Sequence, residues 1–260
     1  MRMVSVDHAA LFGCTLALAD DALILGHRLS EWCGKGPTLE EDIALANLGL
    51  DLIGQSRLFY AYAGDIEARI SGVGRDEDQF AYLRDVPQYR NLLLVEQPNG
   101  DFAVTMVRQL LYAAFMLPYF EAMSLSPDTR LAEIAAKAVK EMAYHVRHAG
   151  EWTIRLGDGT AESHQRAAEA VELLWPYTGE LFAMDADEQA LVAIGILPDR
   201  NAVRREWQAI VGRVLKQATL DRPQDEWMQS GGRNGHHSEH LGHLLAEMQF
   251  LQRAYPGATW

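Results

Sequence analysis

Ala44-Leu45-Ala46-Asn47-Leu48-Gly49-Leu50-Asp51-Leu52-Ile53-Gly54-Gln55-Ser56-Arg57-Leu58-Phe59-Tyr60-Ala61-Tyr62 is the stretch that decides the fold. Leu45, Leu48, Leu52, Phe59 and Tyr62 return at three- and four-residue steps, with Gln55 on the same stripe. That is the period of an α-helix burying one face. Upstream, Thr38 followed by Glu41 is a capping-box signal that starts this helix. Downstream lies a polar, glycine-rich stretch, 64–88, with a short helical continuation. The same period fills most of the chain. Leu11, Cys14, Leu18, Ala22, Leu25, Leu29 and Trp32 mark a first long helix, stopped by Gly34, Gly36 and Pro37. After the turn Gln97-Pro98-Asn99-Gly100, Asp101 caps a third helix carrying Met106, Leu110, Ala113, Leu117 and Phe120. Pro118, lacking a backbone N–H, should kink or end it. Ser126 reads as the N-cap of a fourth helix, with Leu131, Ile134, Ala138, Met142, His145, Ala149 and Trp152 on its stripe. Shorter helical segments follow near 163–184, 187–195, 201–219 and 237–254. Strand signals are poor and no composition shift marks a second domain. The sequence therefore predicts an all-α fold, a four-helix bundle with additional C-terminal helices, in a single domain over residues 1–260.

Composition narrows the function. Of 260 residues, 48% are hydrophobic, enough for a packed core, and Lys plus Arg total 23 against 36 Asp plus Glu, a net charge of -13. An acidic chain has no general grip on nucleic acid or an anionic membrane. Cys14 and Cys33 cannot make a disulfide framework and read as core thiols. The first twenty residues lack a basic segment followed by an apolar one, and no run approaches the ~18 apolar residues of a membrane span. The expectation is a cytoplasmic protein with neither membrane nor nucleic-acid partners. Phe115, Met116, Tyr119 and Trp175 exceed what one bundle stripe needs and are expected to face a helical partner; packing of some of them against the C-terminal helices is the alternative.

Helix bundles that hold two irons build the site from inward Glu residues and Glu-x-x-His pairs, because i and i+3 share a helical face. No Glu-x-x-His occurs here. Leu52 and Gln55 stand three apart on the second helix, Met142 and His145 three apart on the fourth. The third has no Asp or Glu between Phe102 and Phe120, and Asp20 and Asp21 only flank the first helix's stripe. His145 is a ligand remnant or, as is commoner for a lone His on an apolar face, a hydrogen-bonded core residue. Gln55 reads the same way. His236, His237, His240 and His243 offer a second candidate, a zinc site of a hydrolase, against a plain helix start with Ser238 or His237 near the cap. Gly72-Val73-Gly74 is no dinucleotide loop, and Gly-x-Ser-x-Gly and P-loop motifs are missing.

Several long strings nevertheless match a known family. Leu29-Ser30-Glu31-Trp32-Cys33-Gly34, Ala44 to Gln55, Asn91-Leu92-Leu93-Leu94-Val95-Glu96-Gln97-Pro98-Asn99-Gly100, Lys140-Glu141-Met142-Ala143-Tyr144-His145, His237-Ser238-Glu239-His240-Leu241-Gly242 and Ala246 to Arg253 span essentially the whole chain. It resembles the structural C subunits of the phenylacetyl-CoA 1,2-epoxidases, a ferritin-like family of aerobic phenylacetate catabolism. The resemblance implies a ferritin-like bundle that is not catalytic alone and pairs with a paralogous A subunit holding the di-iron centre. Electrons in that oxygen- and NADPH-dependent monooxygenase come from a separate reductase with flavin and a 2Fe-2S cluster. No cofactor is expected on this chain. Where the catalytic paralogue has Asp-Glu-x-x-His, this chain has Asp51-Leu52-Ile53-Gly54-Gln55; where it has Glu-Glu-x-x-His, this chain has Glu141-Met142-Ala143-Tyr144-His145. The resemblance also points to Gln88, Tyr89, Arg90 and Asn91 near the CoA part of the substrate, with Gln189, Ala190 and Leu191 second. Packing or subunit-interface roles for both loops are the alternative. An autonomous di-iron oxygenase is the competing function.

Overall fold

Side-chain caps set where the helices begin. The computed structural model describes residues 6–258. In it Asp7, Thr38, Asp76, Asp101, Asp128, Thr160, Asp185 and Asp199 each accept a backbone N–H from the first turn of the helix that follows. Each satisfies a donor the helix cannot satisfy itself, worth about 1 kcal/mol. In chain order the helices are α1 (His8–Ser30), α2 (Leu39–Ser71), α3 (Glu77–Tyr82), α4 (Leu93–Glu96), α5 (Phe102–Met123), α6 (Thr129–Gly157), α7 (Ala161–Leu174), α8 (Ala186–Ala193), α9 (Arg200–Gln217) and α10 (Glu239–Ala254). Short 3-10 turns lie at Val86–Gln88, Trp175–Tyr177, Gly179–Phe182 and Gly232–Asn234. The described residues contain no strand, as the periodicity predicts.

The helices fall into two compact units, one from residues up to 98 together with those from 231 onward, the other from 99–230. In the first, α1 and α2 form a long hairpin. Gly26 and Gly49 let the backbones meet: a Cβ on Gly26 would lie 3.2 Å from the Gly49 carbonyl, and one on Gly49 3.3 Å from the Gly26 carbonyl. Leu25, Leu29, Leu45, Leu48, Leu52 and Phe59 fill the interior. Helix α4 packs on α1, while α3 packs on both α2 and α10.

The second unit is built on the α5–α6 hairpin, with α7 and α9 packed on both helices. Leu110, Ala149, Val214 and Ile154 pack together. Beside them stands an aromatic group: Phe115 stacks on Tyr119 at 5.5 Å, Phe182 meets Phe115 and Trp207 edge-on, and Trp207 tilts against Trp175. The Trp207 indole donates to the Leu111 carbonyl at 2.9 Å, so its polar edge is satisfied inside the core.

Four expectations are corrected here. Phe115, Met116, Tyr119 and Trp175 do not face a partner; at 1–2% exposure they form this internal core, because α7, α9 and the 3-10 turns consume the surplus apolar surface. Pro118 does not end α5, which runs on to Met123. The cap of α6 is Asp128, not Ser126. Cys33 is exposed and Cys14 half-buried. In addition, α1 and α5 are long and apolar enough to cross a membrane by length and composition. Yet 72% and 83% of their most apolar windows are buried in the chain, as in core helices.

Candidate functional site

Leu52, Gln55, Met142 and His145, the four positions that the resemblance sets against iron ligands, are all buried. Leu52 and Gln55 lie one turn apart on the buried face of α2 in the first unit, and Met142 and His145 one turn apart on that of α6 in the second. His145 does not rest on solvent: Gln109 of α5 brings its amide Nε2 to 2.9 Å from the ring Nδ1. An amide N–H donates, so Nδ1 accepts. Sequence reasoning gave His145 a hydrogen-bonded core role without finding Gln109, a polar residue in a helix otherwise read for its apolar stripe. A dinuclear iron centre needs several oxygen donors. Neither Leu52 and Gln55 in the first unit nor Met142, His145 and Gln109 in the second include a carboxylate, so neither set fits half of such a centre.

The carboxylates nearest the hairpin core are occupied otherwise. Asp20 and Asp21 of α1 and Glu96 of α4 are wholly buried, and each is tied to cations of the first unit. Asp20 forms an ion pair with Arg84 through both carboxylate oxygens, accepts from the Tyr60 hydroxyl at 2.5 Å, and accepts from the Arg90 backbone N–H at 2.8 Å. Arg84 spends its remaining donors on the carbonyls of Phe80 and Gln88 and on the Tyr60 oxygen. Burial opposes its charge, and Asp20 more than restores it, holding its pKa above the ordinary arginine value. Burial and then the Asp20 charge push the Tyr60 hydroxyl well up. Asp21 accepts two bonds from Arg233, at 3.0 and 2.6 Å, and the Leu92 N–H at 2.7 Å. The same guanidinium donates to the Arg90 carbonyl at 2.6 Å. Glu96 accepts from the Asn91 amide at 2.8 Å and the Ser238 N–H at 2.7 Å, while Arg28 holds its carbonyl.

His237 completes this network. Its Nδ1 lies 2.8 Å from a Glu96 carboxylate oxygen and its Nε2 3.0 Å from the Tyr89 carbonyl, with the side chain fully buried. Both neighbours only accept, so both ring nitrogens carry protons. Burial works against the charged ring, but the Glu96 hydrogen bond and then the Tyr89 carbonyl outweigh it, and its pKa rises above 6.5. A raised folded pKa gives stability that is fully present below about pH 6.5 and is lost as pH rises through the folded value. Urea melts of the wild type and His237→Gln should therefore differ most at pH 6 and converge toward pH 9. An unchanging gap across that range would sink the assignment of a buried imidazolium.

This network fixes the loop flagged for the CoA moiety. Tyr89 is buried, donates its hydroxyl to the Ala81 carbonyl at 2.5 Å, and lies under the Arg84 guanidinium at 4.2 Å. Asn91 is buried as well. Both are supports. The accessible members are Gln88, whose amide oxygen caps the Asp85 N–H, and half-buried Arg90, whose Nη1 folds back on the carbonyls of Pro87 and Tyr89 at 2.7 Å. In the second unit, Gln189 and Ala190 are exposed on α8, with the Gln189 amide donating to the Met184 carbonyl, and Leu191 is buried.

The histidine-rich run opens α10 with Ser238 as N-cap and Glu239 in the first turn. His237 is committed to Glu96 and Tyr89. Among the described residues, no three His, Cys, Asp or Glu side chains are arranged to hold a metal ion.

The comparisons with known proteins agree with one another. The family model for the phenylacetic acid catabolic protein matches residues 1–260. The chain is 48% identical over 246 residues to the C subunit of the 1,2-phenylacetyl-CoA epoxidase of Escherichia coli strain K12, covering 95% of this chain and 97% of that protein.

Proposed function

Since the chain belongs to the phenylacetic acid catabolic protein family, we propose that it is the non-catalytic, structural subunit of a phenylacetyl-CoA 1,2-epoxidase. In this reading it pairs in the cytoplasm with the di-iron A subunit and supports it. The flavin and 2Fe-2S reductase that draws on NADPH is a separate partner, and this chain carries no cofactor. One observation supports the assignment most: the positions that would bear iron ligands are Leu52, Gln55 and Met142, with only His145 kept, and the hairpin's buried carboxylates are neutralised by arginines and a histidine. Removing donors while keeping the helices leaves a scaffold without the chemistry.

The CoA-facing role falls to Arg90, a cation matched to phosphate, on a loop that Asp20, Arg233 and His237 hold rigid. Gln88 lies beside it; Gln189 and Ala190 form the second candidate segment. The competing autonomous oxygenase requires iron on this chain. Purified alone, the protein should hold far less than two irons and show no epoxidation of phenylacetyl-CoA; combined with the A subunit and reductase, it should co-elute with the A subunit and restore turnover. Two irons per chain with activity in the absence of the A subunit would overturn the proposal.

A further inference from the structure

After α9 the chain of the second unit runs through residues 220–230 without regular structure, yet this strap is pinned at several points. Asp225 accepts from the Trp175 indole N–H at 3.0 Å and from Arg222 at 2.7 Å. The Arg222 guanidinium also covers the Trp175 ring at 5.1 Å. Met228 sits so close over Gly179 that a Cβ there would come within 2.7 Å of it. The Gln229 N–H donates to the Pro176 carbonyl at 2.7 Å. Between these fixed points Glu226 and Trp227 project into solvent, and Trp227 is 71% exposed, whereas Trp175 and Trp207 are 2% exposed.

An indole on a loose segment folds down on the nearest apolar surface. Here the ties on both sides prevent that, and they also settle in advance the ordering cost that a flexible loop meets on binding. Tryptophan is the side chain most concentrated at the energetic centres of interfaces. Leu173, 58% exposed on the last turn of α7, adds apolar surface two residues before Trp175. The charge around the indole is acidic: Asp221, Asp225 and Glu226 are all exposed, and Arg222 is paired with Asp225.

We propose that Trp227 is a pre-organised anchor that inserts into an apolar pocket with a basic rim on the catalytic subunit. The inference rests on the pairing proposed above. Phospholipid and nucleic acid fit poorly, because the strap's own carboxylates and the net charge of -13 repel phosphate.

The test is the affinity of the full-length chain for the purified catalytic subunit, with thermal melts of each variant as a folding control. Trp227→Ala should weaken binding about tenfold or more, mainly through faster dissociation, without moving the melt of the isolated chain. Glu226→Lys should weaken it further as salt is lowered, because like charges then meet at the rim. Wild-type binding with Trp227→Ala within about twofold of it would overturn the anchor and leave the pairing intact. No binding by the wild type would overturn both. Loss of self-association in Trp227→Ala, with binding to the catalytic partner unchanged, would assign the indole to a second copy of this chain and overturn the proposal.

Discussion

Replacing Asp20 by alanine is expected to destabilise the protein by about 3–5 kcal/mol, the range for removing one member of a buried ion pair. The reason is what remains behind. Arg84 is 2% exposed and its guanidinium keeps its charge because Asp20 faces it. Without the carboxylate, a cation stays in the interior, Tyr60 loses the acceptor of its hydroxyl, and the Arg90 N–H loses its partner. The melting temperature should fall by roughly 6–20 °C. The double variant Asp20→Ala/Arg84→Met should recover much of that loss, since an apolar replacement strands no charge. A single variant that melts within a degree or two of the wild type would show that water reaches this pair. In the assembled epoxidase the single variant should also raise KM for the CoA substrate more than it lowers kcat, because the Arg90 loop, proposed above to face CoA, hangs on the same carboxylate.

Gly232→Ala is expected to cost about 2–3 kcal/mol, the upper range for forcing extra atoms into a packed site. The added Cβ would lie 2.2 Å from the Asn91 carbonyl oxygen and 3.2 Å from the Leu93 nitrogen. Both are backbone atoms in a segment already fastened to Asp21 and Glu96, so neither can step aside as a flexible side-chain tip would. The turn at Gly232–Asn234 must lift instead, carrying Arg233 off Asp21. Gly212→Ala is the control: nothing lies within 4 Å of its Cβ position in α9, and a helical Gly-to-Ala change there should stabilise by about 0.5–1 kcal/mol. Equal melts for the two variants would mean that the contact at Gly232 relaxes without consequence.

The long helices and the absence of Glu-x-x-His motifs were legible because both depend on spacing along one helix. Leu52 and Gln55, like Met142 and His145, stand three residues apart, and no tertiary knowledge is needed to see that carboxylates are missing. The strings at Asn91 to Gly100 and His237 to Gly242 carried the family, though not the reason for their form. That reason is long-range: His237 meets a carboxylate 141 residues earlier, and Arg233 one 212 residues earlier. Asp20 and Asp21 left a signal, two adjacent acids inside an apolar helix, which makes sense only with buried cations to match. Sequence spacing gives no hint that these are Arg84 and Arg233. The aromatic surplus misled for a related reason: Phe115 meets Phe182, which in turn meets Trp207, across distances that helical periodicity does not register. The caps were partly readable; Ser126 lost to Asp128 because two acceptable N-caps stood two residues apart.

One unit is continuous in the chain and the other is not, and that has a consequence during synthesis. Residues 99–230 leave the ribosome as one contiguous run, whereas the unit begun first is completed only by the residues from 231 onward. Until Arg233 and His237 emerge, nascent α1 carries Asp21 without its guanidinium, and α4 carries Glu96 without its imidazolium. Two buried acids without counterions oppose closing of that unit, so its final packing is expected to wait for the C-terminal cations. A chain cut short before Gly231 lacks the two cations that meet Asp21 and Glu96, and limited proteolysis should find its first unit cut faster than in the full chain.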